Sequence, residues 1–339
     1  MVLTVRSRSF FVKGAMLLFL CCLLLFPATA LSGAKNGLLL WFNQVLPSLL
    51  PFLILSTLFL STGLSDSIAT HLAPVLSPVF RCSPSGCYAV VIGLLAGLPV
   101  GAKTVASLMD SGKLTKKEGQ YLLPLCNNPS PLFLLGFLSV SVLERPDLRY
   151  PVLFIVTLSS ILSAMLLKPR TETFPVPETL SPNAVPKHTS LSQPPEVSVS
   201  GSGNTPSPNS SFTFSFLLLD NAIEQAFSVL TRVGGYIILF SVLASLLTKL
   251  PFTAPVLACT GAVLEITSGS TSLAVLSLPS DTLIALITGF VTFGGLATAA
   301  QTKSVLAGTK LPFAHYLLTK AVAGIIAGLL MTVYVQLFG

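Results

Sequence analysis

Apolar residues run along this chain in blocks about as long as a bilayer is thick, and the polar residues that interrupt them are few and clustered. Gly14–Leu31 is almost wholly apolar and follows Arg6, Arg8 and Lys13, so it predicts a first membrane helix with a basic cytoplasmic start. Ala28-Thr29-Ala30 also offers a signal-peptide cleavage site, the rival reading of the same segment. The next run, Leu38–Leu60, contains Asn43, Gln44, Pro47, Ser48 and Pro51. Prolines this close remove backbone donors in mid-membrane and predict a broken or kinked helix. Gly86–Val100 is too short to span and predicts a re-entrant hairpin. Residues 101–122 carry Lys103, Lys113, Lys116 and Lys117 against Asp110 and Glu118, which predicts an interfacial helix. Leu125–Leu143 opens on the polar break CNNPSP, and Tyr150–Leu167 is a plain span.

Lys168–Ser211 differs in kind. Its 44 residues include nine prolines and nine serines, a composition that cannot bury enough apolar surface to offset its ordering entropy, and a disordered linker is expected. Beyond it the earlier sequence of segments returns: Asp220–Leu247 with Arg232-Val-Gly-Gly, a hairpin in Pro255–Leu278 containing LEITSGSTS, Thr282–Ala300 with FGG, and a closing span Leu311–Phe338. An interrupted helix, a short Gly/Ser-rich run, a helix broken by small residues and a clean closing helix thus occur twice in order. Alternating the spans from a cytoplasmic N-terminus leaves the lysines of 103–117 and the linker inside and makes the second half run opposite to the first, as in inverted-repeat transporters. The predicted fold is an all-α polytopic integral membrane protein with two inverted-topology repeats, re-entrant hairpins and broken helices. Its parts are an N-terminal membrane helix (1–37), a first repeat (38–167), the linker (168–211) and a second repeat (212–339).

Composition narrows the class further. Of 339 residues 52% are hydrophobic and 9% charged, with mean hydropathy +0.83, so a soluble enzyme, a secreted disulfide domain and a disordered chain are excluded. The net charge of +7 would suggest nucleic acid in a soluble protein; here it marks cytoplasmic loops. Cys21, Cys22, Cys82, Cys87, Cys126 and Cys259 form no CxxC pattern and read as small apolar residues, and His71, His188 and His315 have no metal-ligand spacing.

Few residues are left for chemistry. Glu265 is the one acid deep inside an apolar run, where a charge costs about 2.5–3.5 kcal/mol. It reads either as a ligand or coupling-ion site, with Thr267, Ser268, Ser270 and Thr271 supplying oxygens, or as the structural partner of Arg232. Asn127, Asn128 and Ser130 form the polar break of the first half; they suit a planar polar solute, or they cap an ordinary helix start. Lys103, just past the Gly97–Gly101 turn, meets an anionic ligand or anchors at the interface. Gly294 and Gly295 allow close helix approach, with direct solute contact the less favoured role. His315 and Lys320, near the start of the last span, are expected to snorkel. No nucleophile–base or phosphate-loop arrangement stands out, so an enzyme is not expected. The expected partners are the lipid bilayer and a small anionic or nucleoside-like solute, with a homo-oligomer compatible, no nucleic acid and no cofactor beyond a coupling ion, H+ or Na+.

GLPVGAK, GKLTKKEGQYLLPLCNNPSPLFLLG, LEITSG and FGGLATAAQ carry a resemblance over about 38–165 and 215–338. They resemble the sporulation integral membrane protein family of the YlbJ type, whose members contain paired nucleoside-recognition or Gate domains and are related to concentrative nucleoside transporters. The resemblance implies a protein of the outer forespore membrane that moves dipicolinic acid during sporulation. A nucleoside or nucleobase carrier and a non-transporting spore-envelope assembly factor are the alternatives.

Overall fold

The computed structural model describes residues 2–62, 64–168, 216–306, 308–309 and 311–338. The linker expected over 168–211 therefore lies, apart from Lys168, outside the described residues. These are helical throughout, with no strand among them. The first helix, α1 (Val2–Leu25), ends at Phe26, and Pro27 opens α2 (Pro27–Leu40) in the first helical turn, where its missing N–H costs nothing. The chain bends by 102° at this junction. A π-helical turn, Trp41–Val45, leads into α3 (Leu46–Ser61). The break expected at Pro47 and Pro51 does not form. Pro47 occupies the first turn of α3, directly after the wider π turn, and the helix carries Pro51 in its interior.

After α4 (Leu64–Phe80) the chain turns by 89° into α5 (Pro84–Ala96), capped by the Ser83 hydroxyl, which accepts from the Gly86 N–H at 3.1 Å. Gly97 (φ +72°) then reverses the chain into α6 (Val100–Asp110), completing the expected hairpin. Residues 101–122 are not one interfacial helix. The α6 arm is the buried return of the hairpin, and α7 (Lys116–Cys126) starts the next membrane element after a turn at Gly112 (φ +72°). The Glu118 carboxylate in α7 is buried and accepts from the Ser83 N–H at 2.7 Å, joining the starts of the two elements. Beyond α7 the backbone is non-helical over 127–130; the helix resumes at Pro131 and runs on as a π-helix, Phe133–Val142, before α8 (Arg149–Leu166). The hairpin tip seats against this break: a methyl group on Gly97 would lie 2.6 Å from the Ser130 nitrogen, and one on Gly101 would overlap the Cys126 carbonyl.

The second half repeats the order. It comprises α9 (Phe216–Leu247), the hairpin α10 (Ala254–Leu264) and α11 (Ile266–Ala274), the broken helix α12 (Ser280–Phe293) and α13 (Gly295–Val305), and α14 (Phe313–Phe338). Contrary to expectation α9 is uninterrupted. Its Gly234 makes room for the Trp41 ring, whose indole N–H donates to the Leu230 carbonyl at 2.9 Å. Among the described residues four elements, Pro146–Leu166, Phe216–Leu247, Ser280–Val305 and Phe313–Phe338, are long and apolar enough to cross a membrane, or six if each bent pair is one span. The protein is built as a multi-pass membrane protein.

The two hairpins open at opposite ends of the bundle. Ser83, Glu118, Lys168 stacked on the Tyr121 ring, and the Leu167–His315 contact mark one end. Arg145 feels the charge of Asp281 at the other, where Leu143 and Leu276 both pack against one apolar cluster. The tips meet the helix breaks between these ends, and one apolar cluster joins Phe133–Val142 and α8 to α10, α11, α12 and α14.

The hairpin seat makes a contrast between glycines. Gly101→Ala should sharply lower the yield and thermal midpoint of the purified protein, because its neighbour is backbone that cannot rotate away. Gly235→Ala, helical with open space around it, should leave the midpoint unchanged or raise it by about 1 kcal/mol equivalent.

Candidate functional site

The break in α7 is held by side chains from the second half. The Asn127 amide donates to the Thr302 hydroxyl at 2.7 Å and the Tyr316 hydroxyl at 2.8 Å, joining the end of α7 to α13 and α14. Asn127 is thus not a helix-start cap: it follows the C-terminus of α7, and Ser130, just before the helix resumes at Pro131, accepts from the Phe133 N–H at 3.2 Å. Asn128 faces two ways. Its amide nitrogen donates to the Leu125 carbonyl at 2.7 Å, and its amide oxygen accepts from Ser160 at 2.7 Å and from the Lys320 ammonium at 2.8 Å. Lys320 does not snorkel. It is 1% exposed, two turns inside α14, and its one hydrogen bond among the described residues is this one. His315 is half-buried instead of reaching outward, with Nε2 2.9 Å from the Leu167 carbonyl. The Asn127 amide oxygen has no partner among the described residues.

Glu265 lies in the turn between α10 and α11 and is 2% exposed. One carboxylate oxygen accepts from the Thr267 N–H at 2.9 Å, the other from the Ser268 N–H at 2.7 Å and the Ser268 hydroxyl at 2.9 Å. These are the orphan donors at the start of α11, and the carboxylate is placed to neutralise the positive end of that half-helix. Arg232 is exposed on α9 and forms no ion pair with Glu265, so the structural pair expected as one alternative is absent. The hydroxyls of Ser270 and Thr271 turn back onto the carbonyls of Ile266 and Ser268.

Gly294 (φ +93°) and Gly295 (φ +73°) form the second break, and a methyl group on Gly295 would meet Ile266 at 3.2 Å, so these glycines admit the tip of the α10–α11 hairpin. Lys103 is exposed on α6, close enough to Arg232 for the two like charges to act on each other, and lies apart from the Asn127–Lys320 cluster. A cavity of about 670 Å³ opens beside the hairpin, between α2, the Trp41–Val45 turn, the end of α9 and α10–α11. Asn43, Gln44, Ser245, Ser268 and Thr271 are among its polar lining, and none of the described residues that border it is charged. Ser268, which holds Glu265, forms part of its wall.

Sequence reasoning assigned Lys320 to the interface and missed Tyr316, Thr302 and Ser160. The available signal was spacing: Tyr316 and Lys320 stand four apart in an apolar helix, on one face with Thr319 between them.

Replacing Asn127 by Leu should cost about 1 kcal/mol of stability, since membrane hydrogen bonds average about 0.6 kcal/mol each and two are lost. Glu265→Gln should cost about 1–2 kcal/mol through its weaker cap. Arg232→Met should leave the midpoint unchanged, and thermal unfolding of the double variant should equal the sum of the single effects.

No protein-family model matches the chain, and no solved structure matches it. The chain is similar to the sporulation integral membrane protein YlbJ of Bacillus subtilis, at 25% identity over 335 residues covering 89% of this chain and 76% of the relative. A likeness of that extent, shared over both helical halves, makes the chain a distant homologue of this sporulation integral membrane protein.

Proposed function

We propose that this protein is a membrane carrier, not an enzyme, for a small planar polar solute of the nucleoside or nucleobase kind. The observation that supports this reading is the cavity beside the α10–α11 hairpin. Its volume of about 670 Å³ lies within the range of small-molecule sites, roughly 300–1,000 Å³. Its polar lining is amide and hydroxyl, groups that donate to and accept from a neutral heterocycle or sugar, and it presents no fixed charge. In this reading 38–167 and 212–339 are two repeats of opposite orientation, supported by hairpins that open at opposite ends of the bundle. Asn127, Asn128, Ser130, Glu265, Thr267, Ser268, Gly294 and Gly295 then shape the broken helices around the solute path. The distant relative's name supports a role in sporulation, and this reading puts the protein in the outer forespore membrane.

A second reading is a planar dianion, dipicolinic acid, in place of a nucleoside. The observation in its favour is the pair of neighbouring exposed cations, Lys103 and Arg232, which would attract an anion toward the hairpins.

Counterflow in proteoliposomes separates the readings. Labelled uridine should enter vesicles preloaded with uridine, and Asn43→Leu or Gln44→Leu should reduce this exchange at unchanged protein level. Exchange of dipicolinate in place of uridine, lost in Lys103→Gln with Arg232→Gln, supports the second reading; exchange of neither solute supports an assembly factor. Single-cysteine labelling tests the repeat orientation: positions 113 and 308 should react from the cytoplasm and 147 and 249 from the opposite side.

A further inference from the structure

Two half-helices end near one buried ammonium. At the C-terminus of α7 the Leu125 carbonyl is taken by the Asn128 amide, whose oxygen in turn accepts from Lys320 at 2.8 Å. At the C-terminus of α12, a methyl group on Gly294 would lie 3.9 Å from the Lys320 Cε atom. Helix C-termini carry about half a negative charge each, and in carriers made of broken helices such ends and their freed carbonyls coordinate the coupling cation. The other buried side chains of the Asp, Glu, Lys and Arg type among the described residues are Glu118 and Glu265. Both are engaged by backbone N–H groups, of Ser83 and of Thr267 and Ser268, so neither forms an ion pair with Lys320. Such a cation is costly in a membrane and needs a role.

We propose that the Lys320 ammonium is the resident cation of this site, standing between the ends of α7 and α12 where a dissociable monovalent cation would otherwise bind. A tethered cation cannot leave with the solute, so the two helix ends stay neutralised in every state without Na+. The functional meaning rests on the carrier reading above, whereas cation occupancy itself can be read without transport.

The test is thermal unfolding of the purified full chain in choline, Na+ and K+ chlorides at equal ionic strength. The wild-type midpoint should be the same in all three. Lys320→Gln and Lys320→Ala, the latter leaving space for an ion, should melt lower in choline and be raised by Na+ or K+, because a ligand that binds only the folded form stabilises it. A wild-type midpoint raised by Na+ overturns the proposal. So do variants that fail to fold in every salt or respond to neither cation. In proteoliposomes, wild-type solute uptake should not change with a Na+ gradient. Absence of all solute exchange with the salt pattern intact would count against the carrier reading alone.

Discussion

Every backbone N–H and C=O inside a membrane must find a partner within the protein, and this chain interrupts its helices where water cannot supply one. The breaks at 127–130, Glu265 and Gly294–Gly295 therefore set terms for everything around them. The first two are met by a segment distant in sequence or by side chains in the turn itself, and the third lies against the tip of the α10–α11 hairpin at Ile266. The Asn128 carbonyl receives the Leu98 N–H at 2.8 Å, the Leu125 carbonyl receives the Asn128 amide, and the first donors of α11 are held by Glu265. The glycines at the hairpin tips follow from the same demand, because backbone can satisfy backbone only at close range.

The polar side chains at the centre extend that logic across the two halves. Asn127 reaches Thr302 and Tyr316, and Asn128 reaches Lys320, so the α7 break is bound directly to α13 and α14. A carrier that moves one half against the other would have to shift these contacts together. Cavity and hairpin are coupled in the same way, since Ser268 both borders the cavity and holds the Glu265 carboxylate.

The charges divide by environment. Glu118 and Glu265 sit at helix starts, where a carboxylate complements the dipole, while Lys320 sits beside helix ends, where an ammonium does. Lys103 and Arg232 remain exposed. One rule thus accounts for the buried ions without an ion pair among them.

Much of the architecture was legible in the chain itself. Run length and hydropathy determined a helical membrane protein, and the short Gly86–Val100 and Pro255–Leu278 runs, with Gly97 and the Gly294–Gly295 pair, marked hairpins and a break, because mid-membrane glycines and polar clusters have few other uses. The plain spans at Tyr150–Leu167 and Leu311–Phe338 were equally clear from uninterrupted apolar length. Pro47 misled because it falls in the first turn of a helix that follows a π turn, Pro51 because α3 carries it in its interior, and Gly234 of α9 misled because the Trp41 it makes room for is far away in sequence. Only the tertiary structure decided what the buried polar groups do. Whether Lys320 turns inward or snorkels, and whether Glu265 meets Arg232 or the start of its own helix, depends on which helix ends lie beside them, and periodicity along one segment carries no information about its neighbours in space.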